Sequence, residues 1–187
     1  MRGFERKTDG KPWKIDKTWV GFDEIAEPMK RAAVAAEDAT FLDHYGFDFK
    51  AMEQAIDRNA HNHKLIGGST ISQQTAKNVF LWPGRSYIRK AFEAYFTALI
   101  ELCWSKKRIL EVYLNVIEMG DGVYGIEAAS QYYYHKHASQ LTKRESAAIA
   151  SIFPDPLKWS PRHPNYRVAH KQYLILKNMR RLGPLDF

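Results

Sequence analysis

Pro28-Met29-Lys30-Arg31-Ala32-Ala33-Val34-Ala35-Ala36-Glu37-Asp38 is the stretch on which the fold turns. Proline suits a first helical turn, where its missing N–H costs nothing, and Met29, Ala32, Ala33 and Ala36 then follow at i, i+3, i+4 and i+7. That period describes a helix with one apolar face. It delivers Glu37 at the carboxyl end, where the chain gives way to a loop ending near Gly46. A carboxylate at such a place can reach into a cleft, although Glu37-Asp38 taken alone reads more readily as a solvated acidic pair at a helix end.

Helical spacing continues along the chain. Asp48 can cap a second helix whose buried face is Phe49, Met52 and Ile56. Gly67-Gly68 breaks the chain, and Thr70 with Gln73 has capping-box spacing for a third helix whose first turn would present free backbone N–H groups. Phe80-Leu81-Trp82-Pro83-Gly84 reads as a loop. In the long helix that follows, Ile88, Phe92, Tyr95, Leu99 and Leu102 form the apolar stripe, with Arg89, Lys90 and Glu93 on another face. Ser105 caps a helix that turns Ile109, Val112, Tyr113 and Val116 inward and stops near Gly120. Further helices are expected from about Gly125 to Tyr134, from Leu141 to Ile152, and from Tyr166 to Leu182. No convincing strand pair appears, although a short hairpin in the loops is compatible with the pattern. The fold class is therefore all-α, α+β at most.

The length of 187 residues suits one domain, with residues 1–26 as an N-terminal extension and about 28–182 as the helical core. A formal charge of +7 favours an anionic partner: nucleic acid, a phosphorylated substrate or an acidic membrane surface. Cys103 is the only cysteine, which excludes an intramolecular disulfide and a Cys-based zinc site within one chain. No run approaches the roughly 20 apolar residues that span a bilayer, and the charged start from Met1 to Lys17 is not a secretory signal. The sequence reads as a soluble domain, and a transmembrane anchor upstream of it is compatible with that.

The Gly67–Asn78 run feeds a glycine turn into a helix amino terminus, a place that favours anions, and sets Gln74 and Lys77 on one helix face. It lacks the Gly-Lys-Ser/Thr of a nucleotide-binding loop. Arg89, Lys90 and Glu93 alone would be a solvated face with an i,i+4 ion pair. His61-x-His63 and His135-x-His137 read as exposed histidines rather than metal ligands, and His44 as a support for its own loop.

Taken in order, four motifs say more. They are Glu37-Asp38-Ala39-Thr40-Phe41-Leu42-Asp43-His44-Tyr45-Gly46; the Gly-Gly-Ser-Thr-Ile-x-Gln-Gln-x-x-Lys-Asn run; Arg89-Lys90-Ala91-Phe92-Glu93-Ala94; and Lys107-Arg108-Ile109-Leu110-Glu111-Val112-Tyr113-Leu114-Asn115. This succession resembles the first four signature motifs of the family 51 glycosyltransferases, the peptidoglycan polymerases found alone or fused to penicillin-binding transpeptidases. The resemblance runs from about Pro28 to Met179. It weakens at the fifth motif, where His170-Lys171 stands in place of paired arginines, so no substrate contact is carried onto that pair. With no transpeptidase domain after Phe187, the chain looks like the monofunctional kind.

The resemblance implies a two-lobed lysozyme-like domain. The activity it implies joins the C4 hydroxyl of an acceptor sugar to C1 of lipid II, with inversion and release of undecaprenyl pyrophosphate. Glu37 is then the general base and Glu93 the second catalytic glutamate. Lys77, Arg85 and Lys90 gather at the pyrophosphate, Ser69, Gln74 and Asn78 give polar contacts to the donor, and Asp38 supports Glu37. No resident cofactor or metal is required, although a magnesium or manganese ion at the pyrophosphate is compatible with the chemistry. The expected partners are lipid II, the growing glycan strand and a membrane surface, with cell-wall synthesis or division proteins as further candidates and no nucleic acid. The expected location is the inner membrane, with the catalytic domain on the periplasmic face. Phe80, Leu81 and Trp82 beside Arg85 have the mixed apolar and basic character of a membrane contact, or of a buried loop anchor.

Two rivals stand beside this reading. A lysozyme-like lytic transglycosylase or muramidase would also use a glutamate on a helical domain, but would leave Lys77, Arg85 and Lys90 without a pyrophosphate to stabilise. A basic nucleic-acid-binding module would explain the charge but not the glutamates within the motifs.

Overall fold

The computed structural model describes residues 15–61, 68–84 and 86–187. Arg85, Gly67 and His63 lie outside the described residues, as do the side chains of Ile56 and His61. Eight α-helices occur among the described residues: α1 (Glu27–Glu37), α2 (Phe49–His61), α3 (Ile71–Phe80), α4 (Tyr87–Cys103), α5 (Lys106–Val116), α6 (Ile126–Tyr134), α7 (Lys143–Ser151) and α8 (Tyr166–Leu182).

The mainly helical expectation holds, and the helices fall into two packed groups. In one, α1, α7 and α8 lie together. Ala32 and Ala33 of α1 and Ala147 and Ala150 of α7 are fully buried, and side chains this small let helix axes approach closely. The Arg31 guanidinium donates to the Met179 carbonyl at 2.5 Å, which ties the end of α8 to α1. In the other group α3 packs between α4 and α5. Ile109, Leu110, Tyr113 and Leu114 of α5 are all 0% exposed and join the main core.

Cap chemistry sets the helix starts. Thr70 and Gln73 form the expected reciprocal box, and Ser86, Ser105 and Asn165 each accept a first-turn N–H. Asp48 accepts from Ala51 N–H at 2.8 Å ahead of α2. The α5 helix ends at Val116, earlier than expected, because the chain there turns into a strand. That strand, β2 (Glu118–Gly120), pairs antiparallel with β3 (Val123–Tyr124), and β1 (Asp16–Lys17) joins β3 in parallel. Strands of two or three residues are too short to show alternation, which is why the sequence gives no strand signal. Gly125 closes this hairpin onto α5 at φ +81°, where an added Cβ would sit 2.7 Å from the Asn115 carbonyl oxygen.

One expected core residue of α2 and the expected core face of α4 lie outside the core. Phe49 is 74% exposed and stacks on Phe47 instead of entering the core. On α4 the stripe of Ile88, Phe92, Tyr95, Leu99 and Leu102 faces outward, Ile88 at 69% and Leu102 at 83% exposure. The inward side of α4 carries Glu93, Thr97 and Ile100. This helix is amphipathic as expected, but its polar side is the buried one.

Candidate active site

Glu37 occupies the last residue of α1 and is held at both oxygens. Gln74 Nε2 donates to Oε2 at 2.9 Å, and Lys171 of α8 reaches Oε1 at 3.4 Å. The side chain retains 16% exposure, enough to meet a substrate. Gln74 in turn accepts from the Tyr113 hydroxyl at 3.3 Å. Burial, and then the charges of Glu37 and Asp38, hold the Tyr113 phenol well above its ordinary pKa.

Asp38 turns the other way, into the protein. Its Oδ2 accepts the Ile71 N–H at 3.0 Å, and His44 Nε2 lies 3.0 and 3.1 Å from its two oxygens. Because a carboxylate only accepts, the proton of His44 sits on Nε2. The first turn of α3 is thus not open to an external anion as its sequence suggests. The anion at that positive helix end is the protein's own Asp38, and the Gln73 and Gln74 N–H groups go to Thr70. One carboxylate therefore fixes the end of α1 against the start of α3. Gly46 closes the same loop, with its carbonyl accepting from Thr70 Oγ1 at 2.6 Å. Its φ of +82° and the 2.8 Å that would separate an added Cβ from Thr97 Cγ2 require glycine there.

A second cluster lies on α4. Glu93 is buried, with Lys90 Nζ at 2.5 Å from Oε1 and Arg89 Nη1 at 3.3 Å from Oε2. It is not part of a solvated face, since its side chain is only 5% exposed and that of Arg89 13%. Lys77 of α3 feels the charges of both clusters. Burial of its ammonium pushes its pKa below that of an ordinary lysine, Glu93 pulls it back up, Arg89 and Lys90 push it down, and Glu37 pulls it up more weakly.

Two cavities open at opposite ends of α3. One, of about 480 Å³, is lined at the amino end by Glu37, Thr40, His44, Ser69 and Thr70. The other, of about 580 Å³, is lined at the carboxyl end by Lys77, Asn78, Trp82, Arg89, Glu118 and Tyr124. At 1.5 Å per residue, Thr70 and Lys77 lie ~10 Å apart along the helix. The carboxylate and the cations thus line cavities about 10 Å apart along one helix.

The family profile described as Transglycosylase matches residues 8–180. The chain belongs to the transglycosylase family. It is similar to proteins named biosynthetic peptidoglycan transglycosylase in several bacteria. The relative from Caulobacter vibrioides is 54% identical over 163 residues, which cover 87% of this chain and 71% of that protein. The relative from Pseudomonas savastanoi pv. phaseolicola is 44% identical over 182 residues, or 97% of this chain and 77% of the relative. That from Klebsiella oxytoca is 52% identical over 170 residues, covering 90% and 70%.

Within this transglycosylase, the residues expected from sequence do not all serve alike. Glu37, Ser69 and Asp38 border the first cavity; Lys77 and Asn78 border the second; and Lys90 pairs with Glu93. Gln74 is engaged with Glu37 and Tyr113. Asn78 Nδ2 is turned back onto the Gln74 carbonyl at 2.8 Å. Leu81 is 4% exposed, a buried anchor rather than a surface contact. His137 pairs with Glu127 at 2.8 Å. Sequence reasoning missed Lys171, Tyr113 and Arg89. A basic residue in the divergent fifth motif was the one available signal for Lys171.

Proposed function

We propose that this chain is a peptidoglycan glycosyltransferase that polymerises lipid II into β-1,4-linked glycan, with Glu37 as general base. The observation that supports this most directly is that one short helix, α3, carries a cavity lined by Glu37 at its amino end and a cavity lined by the cations Lys77 and Arg89 at its carboxyl end. The acceptor sugar enters the first cavity and offers its C4 hydroxyl to Glu37. As that oxygen bonds to C1 of the donor, its proton passes to the carboxylate and the C1–O bond to the pyrophosphate breaks with inversion. The negative charge released is taken up in the second cavity by Lys77 and Arg89, with Lys90 beside them through Glu93, fixed cations of the kind that stabilise a departing anion. Arg85 is expected to join them. Glu93 orients Arg89 and Lys90 through its two oxygens and raises the proton affinity of Lys77. Glycosidic hydrolysis would leave these cations, which outnumber the single carboxylate of Glu93, without a departing anion to stabilise.

The lipid tail demands a surface in contact with the bilayer. Among the described residues no helix is long and apolar enough to cross a membrane. The outward stripe of α4, with Tyr87, Ile88, Phe92, Tyr95 and Leu102 beside Phe80 and Trp82, has the character of an interfacial helix face. In this reading the domain lies on the outer surface of the inner membrane, and the cations need no resident cofactor. A magnesium or manganese ion at the pyrophosphate would show itself as a rate lost in a chelator and restored by the metal. The deciding experiment supplies labelled lipid-linked disaccharide to the wild type and to Glu37→Gln. The wild type forms glycan chains, and the variant loses on the order of 10²- to 10⁴-fold in rate. A wild type that only shortens finished glycan makes the protein a hydrolase.

A further inference from the structure

The hydroxyl of Tyr113 has no part in the steps above, yet it ends a line of hydrogen bonds that leads to the base. Tyr113 is 0% exposed in the middle of α5. Its oxygen lies 3.3 Å from Gln74 Oε1, and Gln74 Nε2 lies 2.9 Å from Glu37 Oε2. Chemistry fixes each role. An ionised carboxylate only accepts, so Gln74 must turn its NH₂ toward Glu37. The amide oxygen then faces Tyr113, which must donate. With its pKa held high by burial and by two neighbouring carboxylates, this phenol stays protonated and the direction does not reverse. Without the hydroxyl nothing on the α5 side distinguishes the two ends of the amide. A half-turn would then set amide lone pairs against the carboxylate.

We infer that Tyr113 is a positioning residue for glycosyl transfer. By donating to Gln74 it locks the amide so that Glu37 Oε2 is permanently occupied. That leaves Oε1, met among the described residues by Lys171 at 3.4 Å, as the oxygen that takes the acceptor's proton. This rests on Glu37 being the base, while the lock itself exists without substrate and can be read separately.

The test has two arms. In the substrate-free protein, NMR follows the Gln74 side-chain amide hydrogens. The lock predicts slow exchange with water in the wild type, and faster exchange with shifted resonances in Tyr113→Phe. Wild-type amide hydrogens that exchange as freely as those of an exposed glutamine overturn the inference, whether or not the variant folds. In the turnover arm with lipid-linked disaccharide, Tyr113→Phe should lower kcat about 3- to 10-fold, the worth of one hydrogen bond, with KM unchanged. In a Gln74→Leu background the same substitution should lower kcat no further. An unchanged kcat, or an equal loss in both backgrounds, means that Tyr113 does not act through Gln74. A wild type with a slow amide but no glycan product overturns the glycosyl-transfer reading instead.

Discussion

Replacing Glu93 by Gln should disturb both the stability of α4 and the pH range over which the protein works. Glu93 meets Lys90 and Arg89, but the two contacts do not count equally. Lys90 is 52% exposed, so solvent screens its pair and it adds little. Arg89 is 13% exposed, and a hydrogen bond to a charged group at such a site is worth about 1.5–3 kcal/mol. The amide keeps one acceptor for Arg89 but loses the charge, so a loss of about 1–2 kcal/mol is expected. For a chain of this length that lowers the melting temperature by about 2–8 °C. The pH effect comes through Lys77. Its pKa is already depressed, chiefly by burial, and Glu93 is the largest influence opposing that. With Glu93 neutralised the depression deepens, and Lys77 loses its proton at a lower pH. A cation needed at the leaving group then disappears earlier as pH rises, so the alkaline limb of the polymerisation rate should move toward neutrality. Adding Lys77→Arg, which cannot deprotonate, should move it back. Melting within a degree of wild type together with an unmoved alkaline limb would refute both the pairing and the coupling to Lys77.

Lys171→Met removes the cation that meets Glu37 across 134 positions of sequence; since both side chains are partly exposed, a several-fold fall in turnover with unchanged melting is expected from steady-state kinetics. Gly46→Ala forces a Cβ against Thr97 at a positive φ, and calorimetry should find a loss of about 1–3 kcal/mol. Ile88→Ser with Leu102→Ser, both on the outward side of α4, should weaken sedimentation with anionic liposomes while leaving melting nearly unaltered. A double variant that binds vesicles as well as wild type would show that this stripe is not the membrane contact.

Where the sequence was legible, the information was local. The boundaries of α8, the capping box at Thr70 and the delivery of Glu37 by α1 all follow from spacing within a few residues. Periodicity also found the two sides of α4, but it cannot say which one meets the core. An enzyme that buries Glu93 and leaves its apolar stripe outside inverts the usual inference. Glu37-Asp38 reads as one acidic pair, although only Asp38 is held against a helix start, because the terminus that captures it is 33 positions away. Tyr113 and Lys171 were out of reach for the same reason: their partners lie 39 and 134 positions distant, and nothing short-range marks a tyrosine in a core helix as more than filling.

The reversal of α4 also bears on how a substrate with two incompatible ends could be handled. A single helix is ~10 Å thick with its side chains. Glu93 and its cations lie on one flank, while Ile88 and Leu102 lie on the other. With α4 as the proposed membrane face, a diphosphate held on its inner flank would lie about one helix width from hydrocarbon. Its isoprenoid could stay immersed while the head group reacts, and the spent carrier could slide away sideways without the tail ever entering water.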